Sequence, residues 1–133
     1  ELRKNTEEGV EYNSPIEGSK ILMSPEDSID TQLTLNSDII MAFDECTDYP
    51  SSYEDAEQSM HLTHRWTERS FDYFQKHQKG HLLFGIVQGG MHEELRKQSL
   101  AYMNNLQLDG VALGGLSVGE PKEEKTKIFY FAL

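Results

Sequence analysis

At 133 residues, with 37% hydrophobic and 26% charged side chains, the chain has the makeup of one soluble globular domain and is too short for two. No apolar run nears the roughly 20 residues a membrane span needs, no apolar core follows the Glu-Leu-Arg-Lys-Asn start as a signal peptide would require, and a single cysteine, Cys46, rules out an internal disulfide, so a cytoplasmic setting is expected. The formal net charge of -11 is uneven: residues 1–60 carry 15 acidic and 3 basic side chains, residues 61–133 carry 8 and 9, and no Lys/Arg cluster of the kind that binds phosphate backbones stands out.

Residues 1–23 read as β-rich. Turn signals at Gly9 and Asn13-Ser14-Pro15 flank Val10-Glu11-Tyr12, and Glu17-Gly18 forms a hairpin tip before Lys20-Ile21-Leu22. Ser24-Pro25-Glu26-Asp27 opens a helix, with serine as cap, proline in the first turn and acids against the dipole. Ile29, Gln32 and Leu33 continue it, and Asn36-Ser37 stops it. Asp38 to Asp44 reads as a buried strand, followed by a turn through Asp48-Tyr49-Pro50-Ser51-Ser52. Residues 53–78 are the longest predicted helix, with Ala56, Met60, Thr63, Trp66, Ser70 and Tyr73 recurring at steps of three and four, and Gly80 ending it.

Leu82-Leu83-Phe84-Gly85-Ile86-Val87 is apolar without alternation, the pattern of a parallel strand covered on both faces. It runs into Gln88-Gly89-Gly90 and then a predicted helix from Met91 to Gln107, with Met91, Leu95, Ser99, Tyr102 and Leu106 on one face. Asp109-Gly110 turns into a third strand, Val111 to Leu116, and Pro121 opens a last helix. Strand and helix thus alternate three times, at spacings of about 45 and about 30 residues, which argues an α/β fold with a parallel sheet. Three βα units fit either part of an eight-unit barrel or a small open sheet.

In such a sheet the strand ends Asp44, Gln88 and Gly114-Gly115-Leu116 converge on one face. A carboxylate accepts, an amide donates and accepts, and backbone N–H groups donate. Together they complement a flat ligand with adjacent donors on one edge and a carbonyl on the other. Guanine has that form, as do other purines, pterins and amides. Structural readings stand beside this one: Asp44 as a cap for the following turn, Gln88 as a strand-end amide, the glycine pairs as turns, and Cys46 as a small buried side chain. His61 and His64, three residues apart, lack a third metal ligand and read as an exposed helix face. His92-Glu93-Glu94 lacks the second histidine of a zincin motif.

Met41-Ala42-Phe43-Asp44-Glu45-Cys46, Leu83 to Gly90 and Gly114-Gly115-Leu116-Ser117-Val118-Gly119-Glu120 resemble the motifs of tRNA-guanine transglycosylases (queuine tRNA-ribosyltransferases) of the bacterial type. Arg3 to Val10, Ser14 to Ser19, Ser24-Pro25-Glu26, Ser59-Met60 and Arg65-Trp66 match in the same order, up to about Glu124. The family is a TIM barrel with a zinc-bearing insertion that exchanges the wobble guanine of certain tRNAs for a 7-deazaguanine. The resemblance implies that residues 1–133 are a partial TIM-barrel domain, a middle segment of the enzyme, without the zinc-binding subdomain. Asp44 would bind the N1–H and amino edge of the base, Gln88 and the Gly115 N–H its O6, and the Leu116 carbonyl an aminomethyl substituent, with Glu120 supporting that peptide and Cys46 and Val118 lining the pocket. It places the catalytic aspartates and the zinc ligands outside the chain, so no catalytic or metal residue is expected within it. tRNA and the guanine or 7-deazaguanine base are the expected partners, with a homodimer left open and no membrane. Asp48 departs from the proline common at that position. A non-catalytic base-binding or partner subunit, and an inactive truncated fragment, are the alternative readings.

Overall fold

A computed structural model describes residues 3–132, with side chains through Tyr130. Expectations touching Glu1, Leu2 and Leu133 lie outside the described residues. The chain opens with a three-stranded antiparallel meander, β1 (Arg3–Asn5), β2 (Val10–Asn13) and β3 (Lys20–Met23). Val10 pairs with Met23 and Asn13 with Lys20, so the expected hairpin through Glu17-Gly18 forms, and β1 adds a strand to it. Helix α1 (Pro25–Thr34) starts on a full capping box. The Asp27 N–H donates to the Ser24 hydroxyl, and the Asp27 carboxylate accepts from the Ser24 N–H.

Three βα units follow: β4 (Ile39–Met41), α2 (Tyr53–His77), β5 (Leu82–Val87), α3 (Glu93–Asn105), β6 (Gly110–Leu113) and α4 (Lys122–Ala132). The strands form one parallel sheet in the order β4-β5-β6, with Met41 opposite Phe84 and Val87 opposite Leu113. The chain is therefore α/β with a parallel sheet, as three units of the (β/α)8 barrel that the resemblance implies would be. The outer strands are shorter than the apolar runs suggest. The paired strands end at Met41 and Leu113, with one further backbone bond past each, from the Ala42 N–H to the Phe84 carbonyl (2.8 Å) and from the Gly114 N–H to the Val87 carbonyl (3.0 Å).

One face of the sheet packs on the helices. Ile40 and Leu83 are sealed there with Ile29 of α1 and Phe74 of α2, and Leu95 of α3 packs on Ala56 and Met60. On the opposite face Leu82 is 43% exposed, Phe84 and Ile86 are half-buried, and Ile39 is 48% exposed. The expectation that β5 is covered on both faces is thus wrong for the described residues. Its unalternating sequence matches a sheet with two apolar faces, but only one meets helices here.

Two helix faces also differ from the periodicity. On α2 the buried stripe ends at Phe74, with Tyr73 only half-buried, and His64 is buried rather than exposed. On α3 the buried set is Leu95, Arg96, Ser99 and Met103; Tyr102 and Leu106 are half-buried, and Met91 precedes the helix. At the β4 edge, Gln32 of α1 acts as a surrogate strand. Its amide accepts from the Met41 N–H (2.9 Å) and donates to the Met41 carbonyl (3.0 Å), blunting an otherwise open edge.

Candidate base-binding site at the strand ends

The segment after β4 is held by polar side chains on the buried face of α2. The Phe43 N–H donates to Ser70 Oγ and the Glu45 N–H to Thr63 Oγ1, while the Ser59 and Thr63 hydroxyls approach the Glu45 carbonyl at 3.1 Å. Trp66, fully buried and stacked on Phe43 with ring centroids 4.9 Å apart, packs the same turn. These contacts fix the backbone on both sides of Asp44. They also explain why a core-facing helix carries Ser59, Thr63 and Ser70: strand-end backbone groups that no strand pairs need donors and acceptors.

Asp44 and Gln88 meet. Gln88 Nε2 donates to Asp44 Oδ2 at 2.7 Å, and Gln88 is only 2% exposed. Burial raises the Asp44 carboxyl above the ordinary carboxylate range, partly offset by the Gln88 hydrogen bond. The turn-cap reading of Asp44 has no hydrogen bond to support it among the described residues. Gln88 is itself seated from behind: its N–H donates to Ser99 Oγ, which lies 3.2 Å from His64 Nε2. His64 stacks on Tyr102 at 4.0 Å, and burial, with His61 and Arg65 nearby, lowers its pKa to about 4, so it sits as a neutral ring in this core.

The third strand end closes on the same amide. A Cβ on Gly114 would fall 2.6 Å from Gln88 Nε2, and one on Gly115 would fall 2.6 Å from Gln88 Oε1. Gly115 also has φ +63, so glycine answers both the close approach and the left-handed backbone. Past it, the Glu120 carboxylate accepts from the Ser117 and Val118 N–H groups, which holds its pKa below the ordinary value, and so grips the far end of the Leu116–Ser117 peptide. Val118 is 39% exposed and shares a small cavity with Gly115, Gly90, Met91, Thr47 and Tyr49. Leu116 is half-buried. Cys46, also half-buried, does not line that cavity; its thiol points to the Thr47 carbonyl at 3.6 Å, and burial, then Asp44 and Glu45, raise its pKa. Asp44, Gln88 and the glycine pair are thus brought together, with Cys46 close to Asp44 and Gln88 and Val118 on the small cavity beside Gly115.

The whole length of the chain, residues 1–133, matches the family described as queuine tRNA-ribosyltransferase. The chain belongs to that family. Among curated queuine tRNA-ribosyltransferases it is similar to that of Dechloromonas aromatica (strain RCB), 53% identical over 127 residues, covering 96% of this chain and 34% of the relative. That of Psychrobacter sp. (strain PRwf-1) is 51% identical over 130 residues, covering 98% and 34%. That of Haemophilus influenzae (strain 86-028NP) matches with the same identity and coverage. The chain therefore spans about a third of the length of the queuine tRNA-ribosyltransferases it matches.

Arg96 is the residue that sequence reasoning missed. It is 1% exposed, and its guanidinium donates to the carbonyls of Val87, Gly90, Gly114 and Gly115. Between Leu95 and Lys97 it reads as a solvated helix charge. The signal was indirect: two glycine-rich strand ends carry carbonyls that no strand pairs, and Arg96 lies three residues before the inward-facing Ser99. A larger cleft of about 570 Å³ lies along α2, lined by Asn5, Glu7, Glu45, His61 and Arg65, among others. There Asn5 Nδ2 donates to Glu45 Oε1 and Arg65 to Glu7, while Asn5 Oδ1 and Glu45 Oε2 are buried without a hydrogen-bond partner among the described residues. Among the described residues no group of three or more His, Cys, Asp or Glu is placed to hold a metal ion, and no helix is long and apolar enough to cross a membrane.

Proposed function

We propose that this chain forms the base-recognition part of a queuine tRNA-ribosyltransferase, which exchanges the wobble guanine of tRNA for a 7-deazaguanine. The observation that carries the reading is the 2.7 Å bond between Gln88 Nε2 and Asp44 Oδ2 beside the Gly115 amide. An amide NH₂ has two hydrogens, and one here holds the carboxylate. The other is left, with the Gly115 N–H, for the O6 of guanine. The remaining lone pairs of Asp44 accept from N1–H and the 2-amino group. The Leu116 carbonyl would accept from an aminomethyl substituent on the seven-position, with its peptide held by Glu120, while Cys46 and Val118 bound that end of the pocket.

In the covalent exchange, a carboxylate attacks the ribose anomeric carbon as the bond to N9 of guanine breaks. The incoming base gives up its N9 proton, matching the one the departing guanine takes up at N9, and attacks the same carbon to release the carboxylate. The family resemblance puts that nucleophile, and the zinc ligands, outside these residues. One partial-barrel domain, tRNA as macromolecular partner, self-association and a cytoplasmic setting belong to the same reading. Equilibrium dialysis against labelled guanine tests it. Guanine and 7-aminomethyl-7-deazaguanine should displace the label and adenine should not; displacement by all three alike would refute base recognition at this site.

A further inference from the structure

Arg96 is a buried cation that touches no carboxylate among the described residues. All its hydrogen bonds go to main-chain carbonyls on two strand ends: Nε to Gly90 at 2.8 Å, Nη1 to Val87 at 3.1 Å and Gly114 at 2.7 Å, and Nη2 to Gly115 at 3.3 Å. Burial lowers its pKa to about 10, which still leaves it protonated at neutral pH. Desolvating a charge for carbonyls alone is costly. A planar fork of five donors is the one side chain that can hold this many oxygens in fixed directions.

The consequence follows from peptide geometry. In a trans peptide the carbonyl and the next residue's N–H point to opposite sides, and the one cis bond among the described residues is Tyr49–Pro50. With the Gly114 carbonyl drawn 2.7 Å from Arg96, the Gly115 N–H must point away from Arg96, and it meets no protein acceptor among the described residues. We propose that Arg96 is a positioning residue for the base site, orienting the Gly114–Gly115 peptide so that the Gly115 N–H faces the ligand carbonyl. This rests on the base-binding reading above. Arg96 itself never touches the base. It fixes a donor before the ligand arrives, which spares the reorganisation cost of binding.

The test compares guanine with 6-thioguanine by equilibrium dialysis on the 133-residue chain, wild type against Arg96→Met and Arg96→Lys. Both bases offer N1–H and the 2-amino group to Asp44 and differ only in the acceptor at position six. Wild type should favour guanine by on the order of 10-fold, the worth of one good hydrogen bond to a preset donor. In Arg96→Met that lead should shrink toward parity while 6-thioguanine affinity changes by less than about 3-fold; Arg96→Lys should fall between. Equal weakening of both bases with the lead preserved would make Arg96 a staple between strands and overturn the proposal. If wild type binds neither base, the base-binding reading fails first and takes this one with it. Should neither variant melt cooperatively, the wild-type Gly115 amide resonance decides. A larger shift with guanine than with 6-thioguanine supports the proposal, and no shift with either overturns it.

Discussion

Two arginines, Arg69 on α2 and Arg96 on α3, show how differently the two ends of this molecule use charge. Arg69 joins the N-terminal meander to the helices: it pairs bidentately with Glu26 at 2.8 and 2.7 Å and also donates to the Glu7 and Glu8 carbonyls. Beside it Arg65 forks onto Glu7. Each cation there has its anion, both are partly solvated, and the hydrogen bonds from Arg69 and Arg65 push the Glu26 and Glu7 pKa values down. At the strand ends nothing is balanced in this way. Arg96 has carbonyls and no carboxylate, and Asp44 has an amide and no cation. The first arrangement is complete and serves the fold. The second leaves charge and donors unspent, as the proposed base site requires.

Breaking the Arg69–Glu26 ion pair should leave base recognition intact, and variants at the strand ends should weaken it. Trp66→Ala gives the largest effect. It removes a fully buried ring together with the bond from its Nε1–H to the Glu7 carbonyl, a loss of about 3–5 kcal/mol. Chemical denaturation should show most of the stability of the chain gone. Gly115→Ala comes next, with strain of about 1–3 kcal/mol from the left-handed backbone plus a clash with Gln88 Oε1. Guanine affinity should drop roughly 10-fold or more, and the same strain should lower the melting temperature by several degrees. Arg69→Met should cost about 1 kcal/mol of stability, since the pair is a third exposed, with guanine affinity unchanged. If Arg69→Met weakened guanine binding as much as Gly115→Ala does, the division between the two regions would fail.

The smallest effect is in pH. Burial raises the folded pKa of both Asp44 and Glu45. A carboxyl whose folded pKa exceeds its unfolded value binds more protons folded than unfolded, so stability falls as pH rises through that interval. Glu7, Glu26 and Asp27, whose values are lowered, work in the opposite direction at lower pH. His64, whose folded pKa burial lowers to about 4, binds fewer protons folded than unfolded, so melting curves should rise from about pH 4 to about 6.5, and Glu45→Gln should steepen that rise. An unchanged slope in that variant would remove Glu45 as an opposing contribution.

The strand-and-helix alternation, the helix start at Ser24, and the convergence of Asp44, Gln88 and Gly115 were legible because each rests on local signals: a cap, apolar runs, and glycines at strand ends. The residues that hold the site in place were not. Arg96, His64 and Gln32 are polar side chains whose burial depends on backbone groups supplied by other elements. Helical spacing carries no trace of an acceptor nine or eighteen residues away, such as the Met41 carbonyl for Gln32 or the Gly114 carbonyl for Arg96. The exposed face of β5 was missed for the converse reason: the sequence records which side chains are apolar, not what covers them.

The central claim is that the Asp44 charge is kept for a ligand at some expense to the fold. Asp44→Asn, measured on one sample for both melting temperature and labelled-guanine binding at pH 8, tests it most directly. Removing a desolvated charge while keeping an acceptor for Gln88 should hold or raise the melting temperature. Guanine affinity should fall by on the order of 100-fold, because an amide nitrogen then faces the donors of the base. A variant that binds guanine as tightly as wild type, or that loses stability and binding together, would contradict the account.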